Sequence, residues 1–140
     1  AGEFLDYYKN MAKELGVEDI VEFHGSCRRE ELYEIVNEMD FFVSASLVEC
    51  SGVSVQEAML LGKPVLGTNS GGVDSLVPEK AGHIVQKGSD VALADGIDYM
   101  IDHIADYDTG WIKQYAYDSF EIGHISDKYI ELYKKVIGGH

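Results

Sequence analysis

The chain has 140 residues, of which 46% are hydrophobic, and its formal net charge is −14. The length predicts one domain with a single core, and the acidic charge predicts a surface that repels nucleic acid and anionic lipid. No apolar run is long enough to cross a bilayer, and the first residues lack the basic and apolar regions of a signal peptide.

Helical and strand patterns alternate along the chain. The first helix is predicted to end at Gly16, with apolar residues at helical spacing, namely Phe4, Tyr8, Met11 and Leu15. Runs rich in β-branched and aromatic residues predict four strands: IVEFHG (20–25), FFVSAS (41–46), PVLGT (64–68) and HIVQ (83–86). Helices are predicted at REELYEIVNEM (29–39), at SVQEAMLLG (54–62), after Ser89, and twice within 106–140.

Apolar strands that alternate with helices indicate parallel strands buried on both faces. The predicted fold class is therefore α/β, with a doubly wound parallel sheet. In such sheets, ligands bind beyond the carboxyl ends of the strands, where loops lead into helix N-termini. The stretch ECSGVSVQEAMLLGKPVLGTNSGG (49–72) begins with a loop of this kind, directly after the predicted strand FFVSAS.

Two interpretations of this loop remain open. Backbone N–H groups at Ser51, Gly52 and Val53 lie at a predicted helix start, where the helix dipole favours an anion such as a phosphate. Gly52 also lets a ligand approach the backbone, because it has no Cβ. Alternatively, Ser54-x-x-Glu57 has the pattern of a capping box, in which the glutamate binds the serine's own backbone N–H.

The same stretch resembles the signature of the retaining GT-B glycosyltransferases of group 1, an E-x7-E motif followed by Ala-Met, Gly, Pro-Val and Gly-Gly. The matching residues are Glu49, Gly52, Glu57-Ala58-Met59, Gly62, Pro64-Val65 and Gly71-Gly72. The resemblance extends over nearly the whole chain. It implies a Rossmann-like fold, the C-terminal half of a GT-B enzyme without its first two strands, and a single donor-binding domain fragment over residues 1–140.

The resemblance implies a role for each matching residue. Glu49 would contact hydroxyls of the donor sugar near the anomeric carbon, and would be catalytic in the sense that it positions and stabilises the sugar. Glu57 would accept hydrogen bonds from the ribose hydroxyls of the nucleotide. The backbone N–H groups around Ser51, Gly52 and Val53 would hold the diphosphate and the sugar.

Other positions are matched less closely. The loop at Ser26, Cys27 and Arg28 would border the base. Ser75 stands where the family usually carries a further glutamate, and Cys50 and Ser51 stand where it often has an aromatic residue and sometimes a proline. Because Cys27 and Cys50 are too few for a disulfide framework, they favour reduced thiols and a cytoplasmic location.

The implied reaction is transfer of a sugar from a UDP- or GDP-sugar to an acceptor hydroxyl with retention of configuration. It would need no metal ion or other cofactor and no protein nucleophile. An N-terminal acceptor domain would be a partner, and the helices of 106–140 would cross back to it. The predicted strands 20–25 and 41–46 would either pair directly or leave a gap that a second copy fills, which makes a homodimer possible. The chain alone is expected to be inactive and to bind nucleotide weakly.

Two alternatives stand beside this interpretation. One keeps the fold and changes the reaction, as in a GT-B synthase or phosphorylase. The other is a non-catalytic binding module of the receiver type, but a receiver needs an aspartate where the central strand here ends in Ser44-Ala45-Ser46. The Asp106-Tyr107-Asp108 string follows a predicted helix and is expected to be a solvated loop. The histidines show no metal-ligand spacing.

Overall fold

A computed structural model describes residues 3–138, so that residues 1–2 and 139–140 of the expected 1–140 domain lie outside the described residues. The chain divides into two compact units, Ala1–Ile35 and Val36–His140. Among the described residues, no helix is long and apolar enough to cross a membrane.

The first unit contains helix α1 (Leu5–Glu14) and the first part of helix α2 (Arg29–Glu38). Gly16 follows α1 with a φ of +67°, as expected for a glycine that ends a helix. The predicted strand at 20–25 is wrong, because this segment forms no strand. A strand needs a neighbour to pair its backbone N–H and C=O groups, and the described sheet does not include this segment.

The second unit contains a three-stranded parallel sheet of β1 (Phe42–Ser44), β2 (Val65–Thr68) and β3 (Gly82–Val85), in the order β1-β2-β3. Three of the four predicted strands are therefore confirmed. The central strand β2 is buried along its whole length, as expected for a parallel strand covered on both faces. Direct pairing of strands at 20–25 and 41–46, one of the two expected arrangements, is not observed, because residues 20–25 form no strand in the described sheet.

Helices cover both faces of this sheet. Five follow β1 along the chain: α3 (Val53–Leu60), α4 (Val73–Leu76), α5 (Asp90–His103), α6 (Thr109–Phe120) and α7 (Ile122–Gly138). Val65 of β2 packs in a core that includes Met59 of α3 and Ile112 of α6. The next residue, Leu66, points to the opposite face, where a Cβ on Gly96 of α5 would lie only 2.8 Å from Leu66 Cδ1. The doubly wound α/β class is confirmed.

Side-chain caps fix the starts of two helices. Ser89 Oγ accepts a hydrogen bond from the Ala92 N–H at 3.1 Å and caps α5, as the sequence predicts. Asp108 Oδ1 accepts from the Trp111 N–H at 3.0 Å and caps α6. The aspartate string at 106–108 therefore caps a helix. The described residues contain no group of three or more His, Cys, Asp or Glu placed to hold a metal ion.

Candidate functional site

Two loops meet at the carboxyl ends of β1 and β2. The first loop spans residues 45–52 and leads into α3; the second spans 69–72 and leads into α4. They join in an isolated parallel bridge between Glu49 and Gly71. The Glu49 N–H donates to the Ser70 carbonyl at 3.3 Å, and the Gly72 N–H donates to the Glu49 carbonyl at 2.7 Å. The second loop thus holds both the backbone N–H and the backbone C=O of Glu49.

The Glu49 side chain turns back onto its own loop. Its Oε1 accepts hydrogen bonds from the N–H groups of Cys50 at 2.9 Å, Ser51 at 3.3 Å and Gly52 at 3.1 Å. These bonds, with Gly52 contributing most, lower the pKa of the Glu49 carboxyl and keep it ionised at neutral pH. Successive N–H groups that converge on one oxygen form an anion-binding concavity. The N–H groups of Ser51 and Gly52 therefore bind an anion, and in this structure the anion is the Glu49 carboxylate.

Helix α3 begins without a side-chain cap. Its N-cap residue is Gly52, in the left-handed region at φ 50° and ψ 49°, which glycine adopts without strain. Ser54 is the second residue of the helix, so it cannot be the N-cap, and the capping-box interpretation of Ser54 and Glu57 is wrong. The first turn of an α-helix has N–H groups without intrahelical acceptors. In α3 this turn begins at Val53, which is exposed.

The two glutamates of the motif lie on either side of this first turn along the chain. Glu49 precedes α3 and is half-buried in the loop, and Glu57 is half-buried within the helix. The structure places Glu49, Ser51, Gly52, Val53 and Glu57 in one continuous loop-helix segment of the second unit. A negative group at the start of α3 would therefore lie between a loop carboxylate and a helix carboxylate.

Helix α4, which follows the second loop, contains a residue that the sequence interpretation did not select. Asp74 Oδ1 accepts a hydrogen bond from the Gly71 N–H at 2.6 Å, and Gly71 has a φ of +103°. Ser75 Oγ donates to the Gly72 carbonyl at 2.8 Å. An Asp or Ser shortly after a glycine pair is typical of a helix start, and this signal was available in the sequence.

Two buried hydroxyl groups lie close to this turn in the sequence. Thr68 Oγ1 donates to the Ser46 carbonyl at 2.5 Å and so ties the end of β2 to the first loop. Ser70 is only 4% exposed. Among the described residues that are not exposed, its Oγ is the one buried side-chain N or O atom without a hydrogen-bond partner.

Cys27 and Arg28, the expected base-bordering residues, belong to the first unit. Cys27 is a free, exposed thiol. The Arg28 guanidinium donates to Glu31 Oε1, at 2.7 Å from Nη2, and the Arg28 backbone N–H donates to Glu31 Oε2 at 3.0 Å. The backbone bond and then the side-chain bond lower the pKa of the Glu31 carboxyl. Arg28 thus takes part in the capped start of α2, and its role at a base stays a prediction.

Comparison with known proteins identifies the family and the fold of the chain. The family model described as glycosyl transferases group 1 matches residues 1–114. An uncharacterised glycosyltransferase of Methanocaldococcus jannaschii is 25% identical over 137 residues, which cover 96% of this chain and 35% of the relative. The structure of sucrose-phosphate synthase from Thermosynechococcus elongatus matches with a TM-score of 0.82 at 23% identity, over 96% of this chain and 35% of that one.

The structure of Anabaena HepE in complex with UDP matches with a TM-score of 0.79 at 25% identity, over 96% of this chain and 38% of that one. The chain thus spans between a third and two-fifths of the length of these proteins. The match of the family model over most of the chain confirms the predicted resemblance and removes the receiver alternative. The chain belongs to the group 1 glycosyltransferase family.

Proposed function

We propose that this chain is the donor-binding part of a retaining glycosyltransferase that uses a UDP- or GDP-sugar and an acceptor hydroxyl. The observation that carries the proposal is the start of α3, where the consecutive N–H groups of Cys50, Ser51 and Gly52 bind an oxyanion, the Glu49 carboxylate, and where Glu57 follows within the helix. The UDP complex of HepE supports a nucleoside diphosphate as the ligand class.

The diphosphate would lie at the N-terminus of α3. N–H groups without intrahelical acceptors and the positive end of the helix dipole both favour a phosphate there. The same groups would stabilise the charge that develops on the leaving diphosphate, in a site that needs no rearrangement at that moment. This proposal includes no metal ion, no other cofactor and no protein nucleophile.

Glu49 is well placed to hold the sugar. The backbone N–H groups of Cys50, Ser51 and Gly52 all donate to Oε1. No described residue donates a hydrogen bond to Oε2, which can therefore accept from sugar hydroxyls. A carboxylate whose orientation is already fixed loses little entropy when it binds, which is what positioning of a reacting sugar requires. Glu57, on the other side of the helix start, would accept from the ribose hydroxyls.

A further domain would supply the acceptor. Helix α7 has no buried residue, and its exposed apolar side chains include Ile122, Tyr129, Leu132, Tyr133, Val136 and Ile137. This face supports the proposal that the C-terminal helices pack against a domain outside this chain. Strand β1 forms one edge of the described sheet and could pair with a strand of that domain or of a second copy. The free thiols of Cys27 and Cys50 fit a cytoplasmic location.

Titration of the full-length protein with UDP, GDP and their sugar conjugates tests the proposal. Loss of a charge-assisted hydrogen bond costs roughly 1.5–3 kcal/mol, or about ten- to a hundredfold in affinity. Glu57→Gln should weaken binding of the bare nucleoside diphosphate by this factor. Glu49→Ala should weaken binding of the nucleotide sugar and spare the bare nucleotide.

Glu14→Gln, at an exposed position of α1, is the matched control and should change neither affinity. If Glu57→Gln lowers the melting temperature and leaves nucleotide affinity unchanged, the ribose role is wrong. If Glu49→Ala weakens both ligands equally, Glu49 acts on the diphosphate pocket or on folding, and its assignment to the sugar is wrong.

A further inference from the structure

We infer that Asp74 is a positioning residue of the candidate site, which holds Glu49 in place through the Gly71-Gly72 turn. The inference deepens the proposed function and rests on it for its meaning in catalysis. Asp74 is the second residue of α4 and is exposed. Its carboxylate accepts the Gly71 N–H at 2.6 Å, a short charge-assisted bond that closes the turn.

The Gly71-Gly72 turn holds the peptide group between Glu49 and Cys50. The carbonyl of this peptide accepts the Gly72 N–H at 2.7 Å. The N–H of the same peptide donates to Glu49 Oε1 at 2.9 Å. A shift of the turn would therefore rotate the peptide that orients the carboxylate.

The two loops pack so closely that one cannot shift without moving the other. A Cβ on Gly72 would lie 2.5 Å from the Glu49 carbonyl oxygen. Helix α4 also reaches the start of α3, since a Cβ on Gly52 would lie 3.2 Å from Leu76 Cδ1. Displacement of the turn would thus be transmitted to the peptide that orients Glu49.

Asp74 has a simpler role as its alternative: an acidic residue in the first turn of a helix stabilises that helix. That role predicts a loss of stability and no change at Glu49. The two roles differ in the sign of one measurable quantity, the pKa of the Glu49 carboxyl. Removal of a nearby negative charge lowers that pKa, whereas weakening of the N–H bonds to Oε1 raises it.

Titration of Glu49 by NMR on protein with ¹³C-labelled glutamate carboxyl groups separates these effects. Asp74→Ala is expected to raise the pKa of Glu49 towards its ordinary value. Asp74→Asn, whose amide oxygen still accepts from Gly71, is expected to leave it unchanged or slightly lower. Asp108→Ala removes the cap of α6 and is the matched control for a lost helix-start aspartate. It should leave the titration of Glu49 unchanged.

Three outcomes overturn the inference. The first is an unchanged or lowered pKa of Glu49 in Asp74→Ala. The second and third are a rise of the Glu49 pKa in Asp74→Asn, or in Asp108→Ala, that is as large as the rise in Asp74→Ala. Melting curves of all three variants establish that each is folded at the temperature of the titration. If Asp74→Ala is not folded, Asp74→Glu replaces it, because the longer side chain displaces the acceptor oxygen by one methylene. Asp74→Glu is then expected to raise the pKa of Glu49, and no rise in this variant overturns the inference.

The affinity of the full-length protein for the nucleotide sugar supplies the functional measurement. Asp74→Ala is expected to weaken binding of the nucleotide sugar about tenfold, which corresponds to the loss of one hydrogen bond. It is expected to leave binding of the bare nucleotide unchanged. In a Glu49→Ala background the same change should have no further effect, because Asp74 acts through Glu49. An equal further loss in that background overturns the inference. If the wild type binds no nucleotide sugar, the proposed function fails, while the titration of Glu49 still decides whether Asp74 positions it.

Discussion

Gly72 gives the most direct test of the contact between the two loops. Its backbone dihedral angles, φ −79° and ψ −47°, lie in the right-handed helical region, which any residue adopts. An alanine at this position is therefore not disfavoured by backbone conformation. The obstacle is space, because the new Cβ would lie 2.5 Å from the Glu49 oxygen and 2.8 Å from both the carbonyl carbon and the oxygen of Cys50.

These neighbours are backbone atoms and cannot rotate away, so one loop must move. Insertion of a methyl group into a well-packed site costs about 1–3 kcal/mol. Loss or lengthening of the bond from the Gly72 N–H to the Glu49 carbonyl adds about 0.5–1.5 kcal/mol. We therefore expect Gly72→Ala to lower the free energy of unfolding by about 2–4 kcal/mol, and to weaken binding of the nucleotide sugar in the full-length protein.

Urea denaturation followed by circular dichroism measures the first effect. Gly138→Ala is the control, since a Cβ at Gly138 meets nothing within 4 Å. Gly138 is the last residue of α7, where alanine should be neutral or stabilising by up to about 1 kcal/mol. If Gly72→Ala leaves the free energy of unfolding within about 0.5 kcal/mol of the wild type, and binding unchanged, the second loop does not hold the first.

Three further predictions concern stability and binding. Ser70→Ala should raise the free energy of unfolding by about 1 kcal/mol, because the buried hydroxyl has no hydrogen-bond partner; a loss of stability in urea denaturation would contradict this. The pKa values of Glu31 and Glu49 lie below the ordinary 4.5, so the stability they contribute is present above that pH and is lost as the pH falls through their folded values. The stability that Glu31→Ala loses relative to the wild type should therefore shrink as the pH falls from neutral to about pH 3, and a difference that stays constant in urea denaturation would contradict the assignment. By calorimetry, the 140-residue chain should bind a UDP- or GDP-sugar at least about tenfold more weakly than the full-length protein, because the proposed acceptor domain would form the second wall of the cleft; equal affinities would refute this.

The sequence is most informative where local pattern and tertiary packing agree. PVLGT is apolar and bounded by turn residues, and it forms the central buried strand β2. Ser89 precedes an amphipathic run and caps α5 as expected. In both places the residues that decide the structure are neighbours in the sequence, so a local pattern is sufficient.

The sequence misleads where the deciding partner lies elsewhere. IVEFHG has the composition of a strand, but composition alone does not supply a pairing partner. The segment forms no strand in the structure. Ser54-x-x-Glu57 has the spacing of a capping box, but the helix begins at Val53, because Gly52 takes the left-handed conformation that starts it. Asp74 was missed for the same reason: it bonds to Gly71, and the bridge from Gly71 to Glu49 crosses from one loop to the other.

Under the proposed function, Glu49 would have two tasks that the motif alone does not separate. Oε1 closes the loop by accepting its N–H groups, and Oε2 is open to the sugar. Glu49→Gln separates the two tasks, because an amide oxygen can still accept the loop N–H groups while the amide nitrogen, a donor, replaces Oε2. We expect Glu49→Gln and Glu49→Ala both to lose affinity for the nucleotide sugar and to retain bare-nucleotide binding, whereas only Glu49→Ala should loosen the hydrogen bonds of the loop. Amide hydrogen exchange at Cys50 and Gly52 reads out the loop, and calorimetry reads out the ligand. If Glu49→Gln binds the nucleotide sugar as tightly as the wild type, the site needs this residue for the loop alone.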